Sequence, residues 1–339
     1  MSVRAFVTGG AGFVGSNLVD QLLGRGDEVC VLDDLSTGRI ENIRHHLGEP
    51  GFRFINDSIL NASVVQSLVE ECDVVFHLAA AVGVRYIVED PLRAISANVA
   101  GTETVLRAAF RSWKKVIIAS SSEVYGKSTK APLSEEDDRV LGSTAVTRWS
   151  YSSSKAIDEH FAYAYAGRGL PVVILRFFNV YGPRIHANGY GTVVARFIQQ
   201  SLAQKPLTVH GDGRQGRCFC YIEDTVRGII LAAQAKEAEG QVFNIGSDAE
   251  IRISDLALLI KQLTGSSSEI LLVPYEDYYG LRFEDTMRRV PDLTKAQLCL
   301  GYLPQVGLED GLRRTIDWCQ RHNFVESRAP RVAVGAGGS

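Results

Sequence analysis

Gly9, Gly12 and Gly15 stand in Thr8-Gly-Gly-Ala-Gly-Phe-Val-Gly15, between an apolar run at 3–8 and a segment, Ser16 to Gly24, whose apolar residues recur at helical spacing. A strand that turns straight into a helix through backbone without side chains lets a diphosphate approach the helix N-terminus, where amide groups point at it. Such a loop at the start of a chain calls for a parallel sheet whose strands alternate with helices. Strand-like runs follow at Glu28 to Leu32, Phe52 to Ile55, Val74 to Leu78, Lys115 to Ser120 and Val172 to Phe178, mostly separated by helix-length segments. Several are apolar without alternation, as in Val74-Val-Phe-His-Leu78, which predicts burial on both faces.

The fold class is therefore α/β: a Rossmann, doubly wound parallel sheet with a smaller C-terminal α/β lobe for the substrate. After about residue 180 the alternation breaks up, with Gly- and Pro-containing turns at 181–184, 210–213 and 240–248. Residues 1–180 are expected to form the cofactor-binding domain and 181–326 mainly the second lobe. Strands from 217–246 can still join the first sheet, so the boundary is soft. The tail at 327–339, with Pro330 and a Gly-rich end, has little to bury and is expected to be mobile.

With 339 residues the chain can bury a large core without a metal or disulfide staple. A formal charge of -3 with interspersed signs gives no basic stripe or polybasic tract, so neither nucleic acid nor membrane is expected as a partner. No apolar run is long enough to span a bilayer, and the N-terminus enters a strand at once, so the expected location is the cytoplasm. Cys30, Cys72, Cys218, Cys220, Cys299 and Cys319 are scattered without metal-ligand spacing and read as packed thiols; no metal is expected. Cys218 and Cys220 alternate with Phe219 and Tyr221 as in one strand, both facing one side.

Asp33 closes the second strand about 20 residues after the glycine loop, where a carboxylate accepts the ribose hydroxyls and repels a 2'-phosphate. NAD is expected over NADP. Asp57, after the third strand, is a weaker candidate for contact with the adenine. Tyr151 and Lys155 lie four apart, on one helical face, so that the ammonium can depress the phenol's pKa and fit it for proton transfer. Upstream, Ser120-Ser-Ser-Glu-Val-Tyr-Gly126 emerges from the carboxyl end of a buried strand, the edge at which open parallel sheets bind ligands.

These motifs resemble the extended short-chain dehydrogenase/reductase family of NAD-dependent nucleotide-sugar epimerases, dehydratases and decarboxylases, over about residues 3–320. Further matches are His77-Leu-Ala-Ala80, Asn98, Phe178-Asn-Val-Tyr-Gly-Pro183 and Gly211-Asp-Gly213. The resemblance implies tightly bound NAD, regenerated in each turnover and held by Gly9, Gly12, Phe13, Val14, Gly15, Asp33, Asp57, Leu78, Ala79, Ala80, Asn98, Tyr151 and Lys155. It implies that Tyr151 takes a proton from a sugar hydroxyl, Ser121 bonds that oxygen, and Lys155 also holds the nicotinamide ribose. Asn179 and Arg217 match positions that hold the nucleotide diphosphate, and Ser122 lies beside the sugar. Family members usually dimerise through a four-helix interface, here the helices around 98–110 and from Ser153.

The family makes a transient 4-keto sugar. Glu123 stands where dehydratases and decarboxylases carry an acid/base glutamate and where simple 4-epimerases usually do not; Ser122 replaces the aspartate of the hexose 4,6-dehydratases. Arg148-Trp-Ser-Tyr151, Arg217-Cys-Phe219, Tyr278-Tyr-Gly280 and Arg288-Arg-Val-Pro-Asp292 look closer to UDP-glucuronate decarboxylases, where the last motif brings an arginine, here Arg289, to the sugar. The resemblance implies a UDP-sugar substrate and, as first choice, decarboxylation of UDP-glucuronate to UDP-xylose or a UDP-4-keto-pentose. A UDP-sugar 4-epimerase, acting on UDP-glucose/UDP-galactose or UDP-glucuronate/UDP-galacturonate, stays open: Arg289 would then only neutralise diphosphate.

Overall fold

The computed structural model describes residues 2–81, 90–185, 193–279 and 284–322, so the 327–339 tail and Gly280 of the Tyr-Tyr-Gly segment lie outside the described residues. The first half alternates β1 (Arg4–Thr8), α1 (Phe13–Gly24), β2 (Glu28–Leu32), β3 (Phe52–Ile55), α2 (Ala62–Glu71), β4 (Val74–His77), α3 (Pro91–Ser112), β5 (Lys115–Ser121), α4 (Trp149–Ala166) and β6 (Val172–Phe177). Each strand starts and ends within a residue of the apolar run that marks it. Neighbours along these strands go to different cores. Ala5, Val7, Phe76 and Ile117 pack with Leu18 and Val19 of α1, whereas Phe6, Val75, Val116 and Ile118 pack with Val65 of α2, Leu106 of α3 and Ala162 of α4. A strand buried on both faces needs apolar residues at every position, which is why alternation is missing from the sequence.

The second half adds β7 (Val180–Tyr181), α5 (Val193–Leu202), β8 (Leu207–His210), β9 (Gly216–Cys218), β10 (Cys220–Tyr221), α6 (Ile222–Gln234), β11 (Gln241–Ile245), β12 (Glu250–Arg252), α7 (Ile253–Thr264), β13 (Ile270–Val273), α8 (Tyr275–Tyr279), β14 (Arg288–Arg289), α9 (Thr294–Leu300) and α10 (Leu308–Arg321). Of the 217–246 stretch only β11 joins the main sheet, whose order is β11-β6-β5-β4-β1-β2-β3 with parallel pairing throughout. The order reverses between β1 and β4, which opens a crevice at their carboxyl ends.

The expected single strand through Cys218 and Cys220 is two strands in two sheets. β9 pairs with β12 and β14, and β10 pairs with β7. Asn179, at φ +38°, causes the break: its Nδ2 donates to Cys218 O at 2.7 Å and its carbonyl accepts from Cys220 N at 3.2 Å. Both thiols are buried all the same. No described helix is long and apolar enough to cross a membrane.

His77, at the carboxyl end of β4, is 1% exposed, with Nδ1 at 2.8 Å from Thr8 Oγ1 and Nε2 at 3.0 Å from Thr102 Oγ1. Burial, then the Lys155 charge, lowers its pKa from 6.5 to about 3. The unfolded chain therefore takes up a proton that the folded chain refuses. Stability from this residue is complete above about pH 6.5 and is lost as pH falls toward 3. In urea unfolding at pH 7 and pH 5, His77→Gln should lose less stability on acidification than the parent, by on the order of 1–2 kcal/mol. Equal losses in both proteins would contradict this assignment.

Candidate active site

At the crevice, α1 starts from Gly12 with no side chain capping its first turn, so the amides of Phe13, Val14 and Gly15 face outward without a side-chain acceptor. The glycines are required by contact. A Cβ on Gly15 would lie 2.1 Å from Gly9 O, and one on Gly9, at φ +71°, would lie 2.7 Å from Ala79 N. An uncapped helix N-terminus behind a surface without side chains fits a dinucleotide diphosphate.

Asp33, 8% exposed, first holds the loop itself: Oδ2 accepts Ala11 N at 3.0 Å and Oδ1 accepts Leu35 N at 2.9 Å. Burial raises its pKa, against those two hydrogen bonds. A carboxylate has about four acceptor sites, so capacity remains for a ribose. Asp57 is turned to its own loop, accepting from Ser58 N and Asn61 Nδ2. Leu78, Ala79 and Ala80 follow β4 over the glycine loop, with Ala79 N donating to Thr8 Oγ1. Asn98 is buried and clamps Ala81 through both N–H and C=O, while its Nδ2 also reaches Ser154 Oγ at 3.2 Å. It joins the loop after β4 to α4.

Tyr151 and Lys155 sit one turn apart on α4, and the Tyr151 phenol is hydrogen-bonded to Ser121 at the end of β5. The expected depression of the phenol's pKa by Lys155 is absent. Burial, then the Glu123 charge, pushes the phenol up against the Ser121 hydrogen bond. Lys155 is directed elsewhere, its Nζ donating to Ala119 O at 3.0 Å and Asp158 Oδ2 at 3.1 Å. Below the site, Arg176 of β6 makes a bidentate pair with Glu159 of α4 (2.9 and 2.7 Å), and Ser120 Oγ donates to the same carboxylate at 2.5 Å. That buried network fixes the helix to two strands.

The register of β9 and β14 sets Arg217 opposite Arg289. Arg289 Nη1 donates to Glu123 Oε1 at 2.7 Å, and Nη2 donates to Thr286 Oγ1 at 3.3 Å. Its buried Nε has no hydrogen-bond partner among the described residues. Arg217 Nη2 pairs with Asp285 Oδ1 at 3.1 Å; Arg148 Nη2 lies 3.3 Å from the same oxygen and 3.6 Å from Glu123 Oε2. Tyr275 Oη donates to Asp285 Oδ2 at 2.6 Å. Burial alone would raise the Glu123 carboxyl, but Arg289, then Arg148, hold it down at about 2. In this arrangement Glu123 is a carboxylate at neutral pH and has no proton to give. Ser122 is buried in the turn between Ser121 and Glu123, and Asn179 spends its amide on Cys218.

Sequence reasoning missed Asp285, Tyr275 and Thr286, and quoted Arg148 only within a motif. Nothing local marks an aspartate as counter-ion to arginines more than 60 residues away.

A profile described as the "NAD dependent epimerase/dehydratase family" matches residues 5–246. The chain is 44% identical over 318 residues to the UDP-N-acetyl-alpha-D-glucosaminuronate decarboxylase of Bacillus cytotoxicus, covering 94% of this chain and 98% of that protein. It is 38% identical to UDP-glucuronic acid decarboxylase 1 of Xenopus tropicalis, covering 94% of this chain and 72% of that one. Among solved structures, UDP-glucuronic acid 4-epimerase from Bacillus cereus, in complex with UDP-glucuronic acid and NAD, superposes with a TM-score of 0.85 at 32% identity, covering 94% of this chain and 99% of that one.

Gly15→Ala should forfeit both the cradle and stability, because the added methyl meets backbone, which cannot rotate away. The expectation is a loss of roughly 1–3 kcal/mol in urea unfolding and no NAD in the heat-released supernatant. NAD retention at the parent's level would contradict the cradle.

Proposed function

Since this chain belongs to the NAD dependent epimerase/dehydratase family, we propose that it removes the carboxylate of a UDP-linked uronic acid by way of a transient 4-ketone. It is an NAD-dependent nucleotide-sugar enzyme of the decarboxylase and epimerase kind. The observation that carries the narrower reading is Arg289, buried, bound to a carboxylate through Nη1 and left with an unmatched donor at Nε. A planar guanidinium with donors to spare suits the carboxylate of a uronate. Both a 2-hydroxyl and a 2-acetamido uronate fit this account, since the similar decarboxylases act, by name, on one or the other.

Bound at the glycine cradle, NAD supplies a hydride acceptor for sugar C4 and later returns the hydride. The positive charge that NAD would bring to the site offsets the burial and the Glu123 charge that hold the Tyr151 phenol protonated, so that Tyr151, as phenolate, takes the proton of the 4-hydroxyl while Ser121 holds that oxygen. Oxidation at C4 makes the uronate a β-keto acid. The C5 carboxylate takes Glu123's place on Arg289, the bond to the carboxylate carbon breaks, carbon dioxide leaves, and the electrons pass to the C4 oxygen beside Tyr151. Losing Arg289 leaves Glu123 with Arg148 as its nearest cation, so its pKa climbs and it can carry a proton to C5. Lys155, Asn98 and Asp33 serve NAD; Arg217, Asn179 and Ser122 serve the nucleotide sugar. In this reading residues 1–180 hold the cofactor, with β11 completing the sheet, and 181–326 mainly hold the substrate.

Epimerisation at C4 is the second reading, favoured by the likeness to UDP-glucuronic acid 4-epimerase. Kinetics of variants separate the two. Tyr151→Phe should nearly abolish kcat in either case. Arg289→Ala should raise KM for UDP-glucuronate by about 10-fold or more and leave KM for UDP-glucose nearly unchanged; Glu123→Gln should slow turnover by about 100-fold with NAD still bound. Equal effects of Arg289→Ala on both substrates would count for the epimerase.

A second copy of the chain is the proposed partner, through α3 and α4. Thr102, Val105, Leu106 and Ala109 are spent on the core, but Leu92 (79% exposed), Ile95 (39%) and Ile157 (41%) stand outward on the same two helices. Light scattering at micromolar concentration should give twice the chain mass, and Ile157→Glu should lower it to a single chain. A monomeric parent protein would overturn the pairing. The cytoplasm is the proposed location.

A further inference from the structure

Away from the crevice, on the outer side of α1, three side chains converge that the proposed chemistry does not use. His45 Nε2 lies 3.1 Å and His46 Nε2 2.8 Å from the same oxygen, Asp20 Oδ1. The second oxygen, Oδ2, is held by Arg184 Nη2 at 2.6 Å, and the second nitrogen of His46, Nδ1, lies 2.8 Å from Glu49 Oε2. His46 is thus wedged between two carboxylates. Each ring nitrogen of His46 therefore faces a carboxylate oxygen, and a metal ion on Nε2 would satisfy both that nitrogen and the Asp20 oxygen beside it.

We propose that Asp20, His45 and His46 form a zinc(II) site. In a tetrahedral zinc site with ligands at roughly 2.0–2.1 Å, ligand atoms stand about 3.3 Å apart. The two distances from Asp20 Oδ1, 3.1 and 2.8 Å, are already close to that edge, and all three ligand atoms lie within 4.8 Å of one another. The surroundings match those of a metal-binding histidine. Nδ1–H of His46 donates to Glu49, which fixes the tautomer that leaves the Nε2 lone pair for the metal, and Arg184 pins the oxygen of Asp20 that does not ligate. His45 is exposed, so water can take the fourth position.

The site would join separate parts of the chain. Asp20 is on α1, which starts at the glycine cradle; the histidines follow β2; and Arg184, at φ +71°, leaves β7 beside Pro183, whose carbonyl accepts from Asn17 Nδ2 of α1. Zinc there acts as a clamp on α1 and takes no part in turnover. The cysteine pattern gave no hint of it, because the ligands are an adjacent histidine pair and an aspartate 25 residues upstream.

The test is titration of zinc chloride into full-length, chelator-treated protein by calorimetry at neutral pH, beside His45→Ala and Asp20→Asn. His45 is at the surface, so His45→Ala keeps the fold, which circular dichroism checks. The expected result is one zinc per chain, bound at least about 10-fold more weakly by His45→Ala, with a zinc-dependent rise in melting temperature that this variant lacks. Wild-type affinity in both variants would place the ion elsewhere on the chain, and no stoichiometric binding by the parent would mean that these side chains hold no metal. Either outcome overturns the site.

Discussion

Arg289 and Glu123, 2.7 Å apart, are the contact on which the site depends, because they join β14 to the turn after β5. The parallel register sets Arg289 beside Arg217 on adjacent strands, whose backbones run roughly 4.8 Å apart. Like charges on facing positions repel unless anions lie between them. Glu123 answers one and Asp285 the other, with Arg148 shared between the two carboxylates. Among these residues three cations face two anions, and the surplus positive charge suits an anionic sugar nucleotide.

Those ion pairs would be of little use on a loosely held frame. Ser121 and Glu123 follow β5, Tyr151 and Lys155 ride on α4, and the Arg176–Glu159–Ser120 network fixes β5, β6 and α4 to one another from below. Asn98 ties the same helix to the loop that covers the glycines. The glycine loop after β1 and the Ser121–Glu123 turn after β5 therefore lie at one edge, the carboxyl ends of the parallel strands beside the reversal between β1 and β4.

The parts legible in the sequence are those with local causes. Gly9 and Gly15 are forced by backbone contact, the strands β1, β4, β5 and β6 by burial on two faces, and Tyr151/Lys155 by helical spacing. The parts that were not legible depend on long-range pairing. Asp285 reaches Arg217 and Arg148 only because β14 lies against β9, and Phe219 breaks a strand only because Asn179 intercepts both flanking groups. The phenol of Tyr151 is pushed up rather than down by burial and by the Glu123 charge, while the ammonium of Lys155 is taken by Asp158 and Ala119 O. Spacing alone places Lys155 near the phenol but does not say which way its charge is directed.

The direct test of the central claim is the fate of the carboxyl carbon. Incubation of the protein with UDP-glucuronate and, separately, UDP-N-acetylglucosaminuronate, each labelled at that carbon, should release labelled carbon dioxide from at least one and leave a UDP-sugar lighter by exactly that group in the mass spectrum. A product of unchanged mass with inverted C4, and all label retained, would contradict decarboxylation and make the protein a 4-epimerase.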